Sequence, residues 1–257
     1  MNTVRAKKNL GQHFLTDKTI AVEIVNSLLI DKDEDVLEIG PGMGILTRLL
    51  LQRDNCNLKV VEIDRESVEW LTTNIPQLDG KIINHDFLKL DVSHYFKNPF
   101  LIIGNLPYNI SSQIFFRILN YKDMVPQIVC MLQKEVAERL CAGPGSKTYG
   151  ILSVFLQAYY DLEYLFTVHE HVFSPPPKVK SAVIRLSRNK RASLDCDEAL
   201  FMKVVKMAFN QRRKTLRNSL KQILTDENLK DKAIFSLRPE QLGVAEFEKL
   251  TNMIAGQ

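Results

Sequence analysis

The segment Glu38-Ile39-Gly40-Pro41-Gly42-Met43-Gly44 sets glycines at alternate positions, so the backbone can turn sharply and a ligand can approach it closely. It departs from the nicotinamide-type GxGxxG fingerprint, whose third glycine would fall on Ile45. Alone, such a stretch reads equally well as a structural turn. Glu62 stands 18 residues beyond Gly44 and adds a carboxylate able to accept hydrogen bonds from both hydroxyls of a ribose. Asp86 lies beside Phe87, pairing an acid that can accept from an adenine amino group with a ring that can cover the base. Each acid taken singly fits an ordinary surface carboxylate or helix cap. At the ends of successive strands they outline a nucleoside pocket, and the lack of a Walker-type lysine disfavours a polyphosphate.

Asn105-Leu106-Pro107-Tyr108 suits an exocyclic amine. The lone pair on such a nitrogen is delocalised into the base and is a poor nucleophile. If the Asn105 side-chain oxygen and the Leu106 carbonyl accept its two hydrogens, the lone pair is drawn toward an incoming group. Pro107 fixes its own φ and confines Leu106 to extended geometry, which steadies that carbonyl. Tyr108 can stack on the base, an interaction of roughly 1–3 kcal/mol. Without the neighbouring acids, the same four residues would describe a turn with a core tyrosine.

These residues need a scaffold that brings strand ends together. The chain alternates helical periodicity with short apolar runs, the pattern of an α/β domain with a mostly parallel sheet. Strands are expected at 35–39, 58–63, 81–87, 100–104, 128–132, 162–168 and 181–186. Asp17 is expected to cap a helix that buries Ile20, Ile24, Val25 and Leu28, and Ser111 or Ser112 one that buries Ile114, Phe115, Ile118 and Leu119. Further helices are expected at 45–52, up to 74, at 135–141 and at 150–159. A polar stretch, 187–197, reads as an interdomain linker, and 198–257 as wholly helical.

The 257 residues carry a net charge of only +4, unevenly placed. Residues 188–257 hold 14 Lys/Arg against 9 Asp/Glu, and the first 187 hold 20 against 21. Between Phe201 and Gln222 there are seven basic side chains and no acid, including Arg212, Arg213, Lys214 and Arg217. Such asymmetry fits a polyanionic partner as well as a solvated basic face. Lys203, Lys206, Lys214, Arg217 and Lys221 would share one face of a continuous helix, a phase that a break near Asn210 would spoil. The four cysteines show no metal-ligand or redox spacing, so no metal is expected. The lack of an export signal or a spanning apolar run leads to an expected cytoplasmic location without membrane contact.

Taken together, Glu38–Gly44, Glu62–Arg65 and Asn105–Ser111 resemble the motifs of the ribosomal RNA adenine dimethyltransferases, which include the bacterial small-subunit dimethyladenosine transferases. Gly11–Leu15, Met131–Glu135, Phe173–Val179 and Ala208–Thr215 are similar to further blocks of that family, so the resemblance runs through essentially the whole chain. It implies a Rossmann-like S-adenosylmethionine-dependent methyltransferase sheet with helices on both faces, over 1–189. A small all-α C-terminal domain, 190–257, would assist rRNA binding. Cofactor contacts would fall on His13, Leu15, Gly40, Glu62, Asp86 and Asn105, with His13 standing where many members have Asn. Phe173 would pack on the target base opposite Tyr108. The reaction implied is N6-dimethylation of two adjacent adenosines in a hairpin near the 3′ end of 16S rRNA, within the immature small subunit, by a monomer. The alternatives are a 23S rRNA adenine methylase of the antibiotic-resistance type and a ribosome-assembly RNA binder with vestigial catalysis. The Phe173–Val179 and Ala208–Thr215 blocks favour the small-subunit enzyme.

Overall fold

Runs such as Asp35-Val36-Leu37-Glu38-Ile39 and Phe100-Leu101-Ile102-Ile103 place apolar residues on both alternating faces, which suits strands buried from two sides. In the computed structural model, which describes residues 4–257, they become the centre of a seven-stranded sheet. Its strands are β2 (Glu34–Ile39), β3 (Cys56–Glu62), β4 (Ile82–Asn84), β5 (Phe100–Asn105), β6 (Gln127–Gln133), β7 (Tyr160–Val168) and β9 (Ser181–Arg188). A two-stranded ribbon joins β1 (Phe14–Leu15) to β8 (Phe173–Ser174).

The order across the large sheet is β4-β3-β2-β5-β6-β9-β7. Strands β4 through β6 are mutually parallel, and β9 runs antiparallel to β6. The chain winds outward from β2 through β3 to β4, then returns to β5 on the other side of β2. That reversal lies between β2 and β5, so a crevice opens at the carboxyl ends of Ile39, Glu62 and Asn105, where ligands of open α/β sheets bind.

Helices α1 (Lys18–Ser27), α2 (Ile45–Leu50) and α3 (Arg65–Asn74) lie against one face. Ala21, Ile24 and Val25 of α1, Leu46 and Leu50 of α2 and Leu71 of α3 bury with Val36, Val60, Ile103 and Val129 of the sheet. Alternation turns Leu37, Ile102, Ile128 and Cys130 to the other side, where they are buried too. The next helix, α4 (Ser111–Leu119), buries Ile114, Phe115 and Ile118. Its cap differs from expectation: Ile110 occupies the N-cap position, and Ser111 instead donates to the Tyr108 carbonyl. Leu119 stays half-buried. Strand β4 is also shorter than the run 81–87: it ends at Asn84, and the Asp86 carboxylate accepts from the Leu88 amide in the turn that follows.

The remaining helices are α5 (Lys134–Cys141), α6 (Ile151–Gln157), α7 (Glu198–Asn210), α8 (Leu216–Ser219), α9 (Glu227–Lys230) and α10 (Val244–Ala255). Two compact units result, one reaching Ala137 and resuming over Leu162–Arg188, the other formed by Glu138–Asp161 and Asn189–Gln257. A boundary at 189/190 therefore leaves out a segment. Helix α6 is buried on nearly every side, and its Leu152, Val154, Phe155 and Leu156 demand partners. They find them in α7 and α10, with Phe155 6.2 Å from Phe201 and Phe201 6.5 Å from Phe247. The polar stretch after Arg188 is tied down within the second unit as well. Glu248 accepts from Arg191 at 2.6 Å and from the Asp195 amide at 2.9 Å, and Leu194 is buried. No helix among the described residues is long and apolar enough to cross a membrane.

Candidate active site

The turn after β2 is the floor of the crevice. Gly40, Gly42 and Gly44 all take positive φ, at 69°, 56° and 73°. At Gly40 the left-handed backbone faces open space, since a Cβ there would meet only the Asn105 carbonyl at 3.9 Å. At Gly42 a Cβ would fall 2.9 Å from the Phe14 ring, so the turn and β1 are seated against each other.

Two carboxylates lie beneath this turn. Glu62, 5% exposed, accepts from the Gly42 amide at 3.2 Å and the Asp64 amide at 2.9 Å. Burial pushes its carboxyl above the ordinary range against those two donors. Glu38, 1% exposed, accepts from the Thr47 hydroxyl at 2.6 Å, and burial carries it up to about 8. Neither has a cationic partner among the described residues. Glu62, at the end of a strand and holding one amide donor on each oxygen, has further lone pairs to offer the two hydroxyls of a ribose.

Asp86 sits on the loop after β4, its carboxylate held by the Leu88 amide at 3.0 Å and 4.0 Å from Lys89. Asn105 closes β5. Its amide nitrogen donates to the His13 carbonyl at 2.9 Å, which leaves the amide oxygen as the group it can present to the cavity. The Leu106 amide donates to the Met131 carbonyl at 2.9 Å and fixes the peptide ahead of Pro107. The Tyr108 ring stacks on His13, with centroids 5.4 Å apart and planes at 27°, and its hydroxyl is hydrogen-bonded to Ser181. Burial raises the Tyr108 phenol. His13 Nδ1 donates to the Pro175 carbonyl at 2.8 Å, which leaves Nε2 as the acceptor in the neutral ring. His13, Leu15, Gly40, Glu62, Asp86, Asn105, Leu106, Pro107 and Tyr108 all line this one cavity.

Phe173 does not. It pairs with Leu15 across the β1–β8 ribbon, is 4% exposed and packs into the core beneath α1 and the sheet. The ribbon alternates sides, so Phe173 points inward and Ser174 outward. Phe173 thus lies outside the cavity lining, and the ring stacked on Tyr108 is that of His13.

The profile of the ribosomal RNA adenine dimethylase family matches residues 3–249. This chain belongs to that family. It is 58% identical over 256 residues to the ribosomal RNA small subunit methyltransferase A of Phocaeicola vulgatus, covering 99% of this chain and 91% of that one. The protein of the same name from Parabacteroides distasonis is 61% identical over 253 residues, covering 98% and 94%. Among solved structures, a dimethyladenosine transferase from Plasmodium falciparum superposes with a TM-score of 0.79 at 24% identity, over 95% and 98% of the two chains. The 23S rRNA methyltransferase ErmE gives 0.68 at 26% identity, over 93% and 99%.

Membership directs attention to partners that local sequence could not name. Ser181, Pro175 and Phe14 belong to the site through contacts 73, 162 and 28 positions away in the chain, to Tyr108, His13 and Gly42 respectively. Of these, Pro175 and Phe14 lay within blocks that the sequence singled out, Phe173–Val179 and Gly11–Leu15, and Ser181 lay outside them. In the second unit, Arg213, Lys214 and Arg217 are exposed. Arg212 is half-buried, donates to the Ser146 carbonyl at 3.2 Å and lies 3.9 Å from Glu240, so part of its charge is already engaged. Helix α7 ends at Asn210, which breaks the single basic face that a continuous helix would have given.

Proposed function

We propose that this protein uses S-adenosylmethionine to dimethylate the N6 amines of two adjacent adenosines in a hairpin near the 3′ end of 16S rRNA, acting as a cytoplasmic monomer on the immature small subunit. Family membership and the small-subunit relatives support the reaction class and the substrate. The large-subunit alternative is disfavoured, because ErmE is only 26% identical whereas the small-subunit relatives stand at 58% and 61%. The intact Glu62, Asp86 and Asn105, all on one cavity, argue against vestigial catalysis.

Glu62 would hold the ribose hydroxyls of the cofactor, Asp86 its adenine amine, and Gly40 the open approach along the backbone, with Leu15 and His13 closing the far side. Bound there, the cofactor supplies an electrophilic methyl on a sulfonium centre. The observation that carries the reading is the orientation of Asn105, whose nitrogen is committed to His13 so that its oxygen is available to an amine. That oxygen and the Leu106 carbonyl would accept the two N6 hydrogens, localising the lone pair. Tyr108 would stack on the base, held at its edge by Ser181. No strong base is needed, since a methylated ammonium on an aromatic ring loses its proton readily to water. Positioning supplies most of the acceleration, and the base must be unpaired to enter.

Asn105→Ala should lose on the order of 100-fold or more in turnover while RNA binding stays near the parent value. Asn105→Asp keeps an acceptor but loses the donor to His13, and should be poor as well. Single-turnover methyl transfer to immature small subunits, with both substrates saturating, isolates the chemical step. Parent rates in both variants would remove Asn105 from the mechanism.

A further inference from the structure

The segment Asn9–Leu15 forms one wall of the cavity and is held from two sides. Asn105 and Asn109 hold it from the β5 side, through the His13 carbonyl at 2.9 Å and the Asn9 carbonyl at 3.2 Å. Gly11 sits there at φ 63°, where a Cβ would come within 2.7 Å of Asn109, so the fit is close. On the β3 side most of the contacts converge on Asp64, two residues past Glu62, while Glu66 accepts from the Arg5 amide at 3.3 Å. This buried carboxylate caps α3 through the Glu66 amide at 3.4 Å and the Ser67 hydroxyl at 3.1 Å. It also accepts from Gln12 Nε2 at 3.2 Å and is ion-paired with Lys7. The Lys7 amide in turn donates to Gln12 Oε1 at 2.9 Å, and its ammonium lies 3.3 Å from Glu66. Capping α3 requires only the first pair of bonds. The bonds to Lys7 and Gln12 reach 57 and 52 positions back along the chain, and they tie the wall to the element that carries Glu62.

We propose that Asp64, together with Lys7 and Gln12, is a latch that holds the Asn9–Leu15 strap over the cofactor cavity and sets how fast the cofactor leaves, without acting on the methyl-transfer step itself. This rests on the reading that S-adenosylmethionine occupies this cavity. Release requires the strap to lift, and lifting it breaks the pairing of Asp64 with Lys7 and Gln12. The Lys7 side chain is 37% exposed, so added salt should weaken the latch.

The test compares the parent with Lys7→Met, which keeps the stem and loses the charge, and Lys7→Arg, which restores it. Lys7 contributes no wall to the cavity, and its replacement leaves the α3 cap in place. Lys7→Met should raise the cofactor dissociation rate and the cofactor KM about three- to tenfold, with kcat at saturating cofactor unchanged. The dissociation rate should rise with salt in the parent and not in Lys7→Met. Amide exchange over 9–15 should quicken while α3 keeps parent protection, and Lys7→Arg should return toward parent values. Equal dissociation rates in parent and Lys7→Met would overturn the latch, as would loss of protection throughout α3 or a failure of Lys7→Arg to recover. Glu62→Ala separates the two claims. If it binds cofactor as tightly as the parent, the cavity assignment fails; if it binds weakly while Lys7→Met behaves as parent, only the latch fails.

Discussion

Glu38 is the least solvated acid of the site, and its environment has consequences outside catalysis. In an unfolded chain it ionises near 4.5, whereas in the folded protein burial keeps it protonated up to about 8. Between those values the folded state holds the extra proton, so stability falls as pH rises, by up to about 1.4 kcal/mol per pH unit. The Thr47 hydroxyl opposes this by bonding to the carboxylate. Glu38→Gln removes the titration at nearly constant shape. Its Tm should therefore decline less than the parent's across that window, and parallel Tm–pH curves would assign the dependence to other groups. A cationic ligand favours the ionised form, so cofactor binding should also release protons near neutral pH. The same scale separates Arg212 from its neighbours. An arginine already bonded to Ser146 and near Glu240 has less charge to offer RNA than Arg213, Lys214 or Arg217.

At the scale of elements, short-range rules explain most beginnings and ends. Asp17 caps α1, accepting from the Thr19 amide at 2.8 Å and the Ile20 amide at 3.1 Å, and α1 carries Ala21, Ile24 and Val25 into the core below the strap. Asp17→Ala should lower stability by about 1 kcal/mol, since two first-turn amides lose their acceptor. Urea denaturation reads this as a shift of midpoint at constant slope, and an unmoved midpoint would show the cap to be energetically idle. Helix α4 shows where such rules fail. Two serines stood ready as caps, yet the Tyr108–Ile110 turn that precedes them sets the geometry, and Ser111 closes onto Tyr108. The loop geometry of the site prevailed over the local preference.

For the whole molecule, charge is divided unevenly along the chain, with the basic excess in residues 188–257. We propose that this helical part supplies phosphate contacts that position the RNA without reading its sequence. Replacing Arg213, Lys214 and Arg217 by Ala should weaken RNA binding and lower the log–log salt slope by about 2–3, at 0.7–0.9 per lost contact. Cofactor affinity should not change. Filter binding over a range of salt measures the slope, and an unaltered slope would place the RNA on another surface. Arg212 is left intact in this variant, because losing its bond to Ser146 would mix structural and electrostatic effects.

The sequence by itself determined what depends on neighbours along the chain: the glycine turn, the Asp17 cap, the parallel core strands and the acids that follow them. An acid at the end of a strand stays beside that strand end in any fold that keeps the strand. Tertiary structure decided the contacts that span long stretches of chain. It alone placed Ser181 on Tyr108, 73 residues away, and Lys7 on Asp64. It turned Phe173 into the core, because the β1–β8 pairing sets which side of the ribbon faces inward. It joined Glu138–Asp161 to the C-terminal helices, because α6 is too apolar to remain solvated and packs against α7 and α10. Such contacts are selected by packing among distant segments, and no local pattern of residue types records which distant partner is chosen.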